Sequence, residues 1–120
     1  MKERILVINP NRTTAITEQM SLALDGFRLT DGPEIVCETL DAGPPGIETQ
    51  AHVDAATGHL LAWFDAAPEQ RRAAAVVIGC FSDPGLIALR QTLPMPIFGM
   101  GESSYLMAAG MGEQFGIVAA

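Results

Sequence analysis

The sequence predicts an α/β domain built on a doubly wound parallel sheet. Short apolar, β-branched runs alternate with stretches of helical period along all 120 residues. The runs at residues 5–8 and 73–79 contain no charged or hydroxyl side chain, as suits strands buried on both faces. The connections between runs are rich in Pro, Gly, Asn and Asp, which break ladders and start turns.

Each element follows from its residues. Ile5-Leu6-Val7-Ile8 reads as the first strand, and Asn9-Pro10-Asn11 ends it, since proline cannot donate to the ladder. From Thr14 the period becomes helical, with Ile16, Met20, Ala23 and Leu24 on the inward stripe. Thr13 or Thr14 caps this helix, and Gly26 stops it. Residues 35–40 read as a second, less buried strand, followed by a loop at Asp41-Ala42-Gly43-Pro44-Pro45-Gly46. Residues 50–65 read as a helix with Val53, Ala56, Leu60 and Trp63/Phe64 inward. Gly58 weakens that helix by about 1 kcal/mol. Residues 73–79 form the third strand, 84–91 a short helix, 96–100 the fourth strand and 103–111 the fourth helix; 115–118 begin a fifth strand. The result is a flavodoxin-like single lobe of four to five strands. The first and third strands should be central, because their apolar runs are unbroken.

Composition narrows the function classes. Acidic residues number 14 against 7 basic ones, for a net charge of −7. Such a surface repels phosphate backbones and anionic lipid, so neither nucleic acid nor membrane is expected as a partner. The apolar start at residues 5–8 is too short for a signal peptide or a membrane span, so a cytoplasmic protein is expected. Its two cysteines should then stay reduced.

Ligands of open parallel sheets bind outside the carboxyl ends of the strands. Cys80 lies at one such end, beside Gly79 and just before a helix whose first turn would hold Pro84. Ser82 or Asp83 would then be the N-cap. A thiol there would feel the positive end of the helix dipole and free backbone N–H groups, a setting that activates cysteines. The same N–H groups could hold a carboxylate or an enolate oxygen. The competing reading is a small buried residue in a turn. Cys37, inside the second strand, reads as core. A Cys–His hydrolase needs a base near the thiol, yet His52 and His59 sit seven apart on what reads as a wet helix face. No paired ligand spacing suggests a metal. Gly99-Met100-Gly101-Glu102 lacks the last glycine of a dinucleotide fingerprint and does not follow the first strand. Asn9, Asn11, Thr13 and Thr14 are either turn chemistry with a helix cap or the polar wall of a small-anion site. Ser82 and Glu48 carry the same two readings.

Together the motifs resemble the Asp/Glu/hydantoin racemase superfamily, closest to its hydantoin and allantoin racemase branch. The resemblance rests on Ile5-Leu6-Val7-Ile8-Asn9-Pro10-Asn11, with Thr17-Glu18, and on Gly43-Pro44-Pro45-Gly46-Ile47-Glu48. It rests most on Gly79-Cys80-Phe81-Ser82-Asp83-Pro84-Gly85-Leu86 and Ala88-Leu89-Arg90. Pro96-Ile97-Phe98-Gly99-Met100-Gly101-Glu102 and Phe115-Gly116-Ile117-Val118 follow in order. It implies cofactor-independent proton transfer at the carbon next to a carbonyl, with Cys80 as one acid/base. It further implies a substrate pocket lined by Asn11, Thr13, Glu48, Phe81, Ser82 and Asp83, taking a small carboxylate or a hydantoin. Arg12 stands where a serine or threonine is expected. Members of that family are about twice as long, with two similar lobes and a second cysteine in the second lobe. Residues 1–120 would then correspond to the N-terminal lobe.

The expected function is therefore a racemase or epimerase of amino-acid or hydantoin-type substrates, incomplete in this chain. A one-cysteine decarboxylase or isomerase of the same superfamily is one alternative. A non-catalytic fragment or small-carboxylate binding domain is the other. A lone lobe would expose its strand-end face, so a homo-oligomer is one expected outcome and an aggregation-prone fragment with an open site is the other. Two copies could meet face to face with both Cys80 residues across a shared pocket, or join through other helices.

Overall fold

A computed structural model describes residues 2–119. Four strands are present, β1 (Arg4–Asn9), β2 (Glu34–Thr39), β3 (Ala75–Ile78) and β4 (Ile97–Gly99). They form one parallel sheet in the order β2-β1-β3-β4, which places β1 and β3 at its centre as their apolar runs predict. Val7 pairs with Cys37 on one side and Val77 on the other, and Ile78 pairs with Gly99. Helices α1 (Thr14–Ala23), α2 (Gln50–Ala66), α3 (Leu86–Thr92) and α4 (Met100–Met111) complete the fold.

Alternation along the strands divides the apolar residues between two faces. Leu6, Ile8, Val76 and Ile78 are fully buried on the face that packs against Leu60 and Phe64 of α2 and Leu86 and Leu89 of α3. This is the main core. Ile5, Val7, Ile35 and Val77 occupy the other face, where Met20 of α1, Leu24 just past its end and Met100 of α4 line a largely apolar cavity of about 260 Å³.

Helix α2 begins where its sequence says it should, because the Thr49 hydroxyl accepts the His52 N–H. Its inward stripe is Ala56, Leu60 and Phe64, with Val53 and Trp63 half-buried. Four expectations are corrected. In α1 the buried residue is Thr17, while Ile16 is 40% exposed, so the helix turns a polar side chain inward. Helix α3 starts at Leu86, and its N-cap is Gly85 at φ +73°, not Ser82 or Asp83. Residues 115–118 form no strand; Phe115 instead stacks on Tyr105 of α4, with ring centroids 6.3 Å apart. Helix α4 also starts earlier than its sequence suggests, directly off β4 with no loop.

Among the described residues no helix is long and apolar enough to cross a membrane.

Candidate functional site

The carboxyl ends of all four strands fall along one edge of the sheet. Asn9 pairs with Thr39, and the Gly79 N–H donates to the Ile8 carbonyl at 2.8 Å, which carries β3 one residue further alongside β1. The loops after β1 and β3 are therefore neighbours. They bring Asn11 and Cys80, 69 positions apart in sequence, to the same edge of the fold.

The β1 loop is built around Asn9, which is 1% exposed. Its Oδ1 accepts the Asn11 backbone N–H at 3.2 Å. Its Nδ2 lies 2.9 Å from Asn11 Oδ1, 3.1 Å from the Thr13 carbonyl and 3.0 Å from Thr17 Oγ1. Thr17 in turn meets Thr39 Oγ1 at 2.6 Å, so the network reaches the end of β2. Asn11 Oδ1 also accepts the Thr13 N–H at 2.9 Å, closing a turn of the kind asparagine favours. Thr13 is the N-cap of α1 by position, but its hydroxyl donates to the Pro45 carbonyl at 2.5 Å rather than capping the helix. The Arg12 N–H reaches the Pro44 carbonyl at 3.2 Å, so the β1 loop and the loop after β2 are joined by two bonds.

Glu48 lies at the far end of that second loop with its side chain exposed. Its backbone N–H donates to His52 Nδ1 at 3.1 Å. His59 packs against Gly43, which adopts φ +101°; a Cβ there would meet the His59 ring at 3.2 Å. Both histidines are half-buried under this loop, so the face that reads as wet in sequence is a support for it.

Cys80 is half-buried, and its sulfur lies 3.2 Å from the exposed Ser82 hydroxyl, a contact in which either group can donate. The turn that carries it is anchored by Asp83. The Asp83 N–H donates to the Cys80 carbonyl at 3.0 Å, and Asp83 sits at φ +51°. One carboxylate oxygen accepts the Gly101 N–H at 2.8 Å and the other the Glu102 N–H at 2.7 Å. Asp83 thus caps α4 rather than α3, and both its oxygens are engaged there. Close approach of this turn to α4 requires glycine at 101, since a Cβ would lie 2.2 Å from the Phe81 carbonyl oxygen. Phe81 itself packs edge-to-face on Tyr105, with centroids 5.2 Å apart, and is 36% exposed.

The expected helix-dipole setting for Cys80 is therefore corrected: α3 begins six residues later and its first turn is at Gly85. What surrounds the thiol is a turn clamped to α4 and a neighbouring hydroxyl. Cys37 lies within β2, 3.9 Å from Arg28 Nη2, and away from the strand ends. The Arg90 guanidinium forms a paired contact with Glu102 at 3.0 and 2.7 Å and also donates to the Ile97 carbonyl. That hydrogen bond holds the Glu102 carboxyl below the usual carboxylate range and raises Arg90 above its ordinary value. No cluster of three or more metal-ligating side chains occurs among the described residues.

The candidate residues fall into three groups. Asn11 lies on the loop after β1, and Cys80 and Ser82 on the turn after β3, at the same end of adjacent strands. Thr13, Phe81 and Asp83 spend their side chains on neighbouring elements, and Glu48 stands apart at the loop end. The residues that sequence reading underrates are Asn9, Thr17 and Thr39. Their signal is an asparagine closing a wholly apolar strand and a threonine inside an otherwise apolar helical stripe.

Comparison with known proteins agrees with this geometry. Residues 5–120 match the family described as Asp/Glu/Hydantoin racemase. Hydantoin racemase of Paenarthrobacter aurescens is 36% identical over 115 residues, covering 96% of this chain and 48% of that protein. Hydantoin racemase of Pseudomonas sp. (strain NS671) is 31% identical over 115 residues, covering 96% and 45%. Allantoin racemase from Klebsiella pneumoniae superposes with a TM-score of 0.78 at 32% identity, over 90% of this chain and 43% of that one. Allantoin racemase from Pseudomonas fluorescens does so with a TM-score of 0.81 at 25% identity, over 93% and 46%. The chain spans about half the length of the relatives it matches. Sequence and fold agree over nearly the whole chain, and it belongs to the Asp/Glu/hydantoin racemase family.

Proposed function

We propose that this chain is the Cys80-bearing lobe of a cofactor-independent racemase or epimerase acting on hydantoin-type substrates. Inverting a carbon next to a carbonyl neither adds nor removes electrons, so one base, one acid and oriented donors suffice. The Cys80 sulfur takes the proton from the ring carbon beside the carbonyl. The electron pair of that C–H bond moves into the carbonyl and gives an enolate. Donors aimed at the enolate oxygen supply several kcal/mol of the help a weak carbon acid needs. Asn11 and the Ser82 hydroxyl stand at the same edge as the thiol and suit that role. Reprotonation on the opposite face needs a second acid, and Cys37, inside β2, is not placed to serve. In this reading a second lobe supplies that acid.

The observation that carries this reading is the pairing of a half-buried thiol with a polar, tightly ordered β1 loop on adjacent central strands. The kinship to hydantoin and allantoin racemases favours a hydantoin ring over a free amino acid. The test is solvent deuterium exchange at C5 of a 5-alkyl hydantoin. Cys80→Ala should lower the rate at least about 100-fold, the scale of a lost general base, while Cys37→Ala leaves it unchanged. Equal loss in both variants, or no loss in Cys80→Ala, overturns the assignment.

A further inference from the structure

We infer that Asn9 is a positioning residue: it fixes the carboxamide of Asn11 so that the Asn11 Nδ2 donor faces the strand-end site. This deepens the proposed function and rests on it for the identity of the ligand, a hydantoin carbonyl. The placement of the amide rests on geometry alone.

The orientation of both side-chain amides is set by backbone donors. The Asn11 N–H donates to one end of the Asn9 carboxamide, which makes that end the oxygen. The other end is then the nitrogen, and its neighbours include the Thr13 carbonyl, which can only accept. The Thr13 N–H likewise donates to one end of the Asn11 carboxamide and makes that end Oδ1. The same oxygen accepts from Asn9 Nδ2 at 2.9 Å, so it is held from two sides. Asn11 Nδ2 must therefore point the other way, and no protein partner for it occurs among the described residues. Asn11 is 8% exposed, so little but a bound molecule or water can reach this donor. Asn9, at 1% exposure, touches no ligand itself and acts through Asn11.

The experiment compares Asn9→Asp with wild type in two readouts on the same chain. Aspartate keeps the shape and the oxygen that accepts the Asn11 N–H. It removes both Nδ2 protons and sets a carboxylate against Asn11 Oδ1 and the Thr13 carbonyl. The first readout is NMR of the side-chain amides. In wild type the Asn9 Nδ2 protons should exchange slowly with water, and in Asn9→Asp the Asn11 amide pair and the Thr13 N–H should shift. The second is C5 exchange of 5-methylhydantoin, where KM should rise about tenfold or more with kcat within about threefold. Leu89→Ala is the control: it empties a fully buried site on α3 and lowers stability, and should leave KM and the Asn11 resonances in place. If Asn9→Asp does not fold, Asn9→Ala replaces it with the same expected shifts. Unchanged Asn11 resonances in the Asn9 variant, or an equal KM rise in Leu89→Ala, overturn the proposal. Absence of exchange by the wild-type chain overturns the functional reading instead, and the amide readout still decides whether Asn9 orients Asn11.

Discussion

Asp83→Ala is the perturbation with the clearest expected size, because one side chain joins the Cys80 turn to α4. It removes two charge-assisted bonds, to Gly101 N–H at 2.8 Å and Glu102 N–H at 2.7 Å. Loss of a helix cap costs about 0.5–2 kcal/mol, and each bond to a charged group is worth about 1.5–3 kcal/mol when its partner is left buried. The freed N–H groups are only part-buried, so water recovers some of that. A further cost, about 1 kcal/mol, comes from asking alanine to hold φ +51°. The cap and bond figures describe the same two hydrogen bonds, which with water recovery come to about 1–3 kcal/mol together, so the total is about 2–4 kcal/mol. For a domain of 120 residues that is roughly 8–16 °C in Tm, taking about 4 °C per kcal/mol. Thermal unfolding followed by circular dichroism measures the Tm shift, and urea unfolding the free-energy difference. Asp83→Gly should be milder than Asp83→Ala by about 1 kcal/mol, since glycine accepts the left-handed backbone. Asp83→Asn, which keeps one acceptor, should fall between wild type and Asp83→Ala. A Tm for Asp83→Ala within about 2 °C of wild type, or Asp83→Gly no better than Asp83→Ala, would refute the clamp.

Three smaller predictions accompany it. Gly101→Ala should destabilise by more than about 2 kcal/mol in urea, because its Cβ would lie 2.2 Å from the Phe81 carbonyl oxygen, and backbone must move to make room. Gly58→Ala should stabilise by about 0.5–1 kcal/mol in the same assay: it lies inside α2 and a Cβ there meets open space. Glu102→Gln should be less stable than wild type at pH 7. The lowered carboxyl contributes above its unfolded value and is lost as pH falls through its folded one, so the two unfolding curves should converge once pH falls below that folded value.

The parts of the fold that sequence discloses are those decided locally or by one face. The runs containing Leu6, Ile8, Val76 and Ile78 mark the central strands, since only a doubly covered strand tolerates so little polarity. Helix α2 is legible end to end because Thr49 caps it and Ala56, Leu60 and Phe64 keep one period. Where a distant partner decides, the local pattern misleads. Asp83-Pro84 has the look of a helix start, yet the Asp83 carboxylate goes to Gly101 and Glu102 in a helix 18 and 19 residues away. Thr17 stands in the sequence as a polar interruption of the α1 stripe, and only the fold supplies its partners, Asn9 and Thr39. Residues 115–118 carry strand-forming side chains, but a strand exists only through its ladder, and Phe115 is held by Tyr105 instead. The same division holds at the site. Cys80, Asn11 and Ser82 are visible as candidate chemistry at strand ends, whereas the residues that order the loops carrying them, Asn9 and Asp83, show their partners only in three dimensions.

The central claim, that Cys80 moves a proton on one face of the substrate, is tested most directly by the stereochemistry of exchange. The isolated chain, incubated in D₂O with each enantiomer of a 5-alkyl hydantoin in turn, should label C5 of one enantiomer. That label should enter with retention and without racemisation, after correction for the uncatalysed reaction. Cys80→Ser should abolish the labelling. Equal labelling of both enantiomers, labelling that survives in Cys80→Ser, or no labelling by the intact chain would contradict the account.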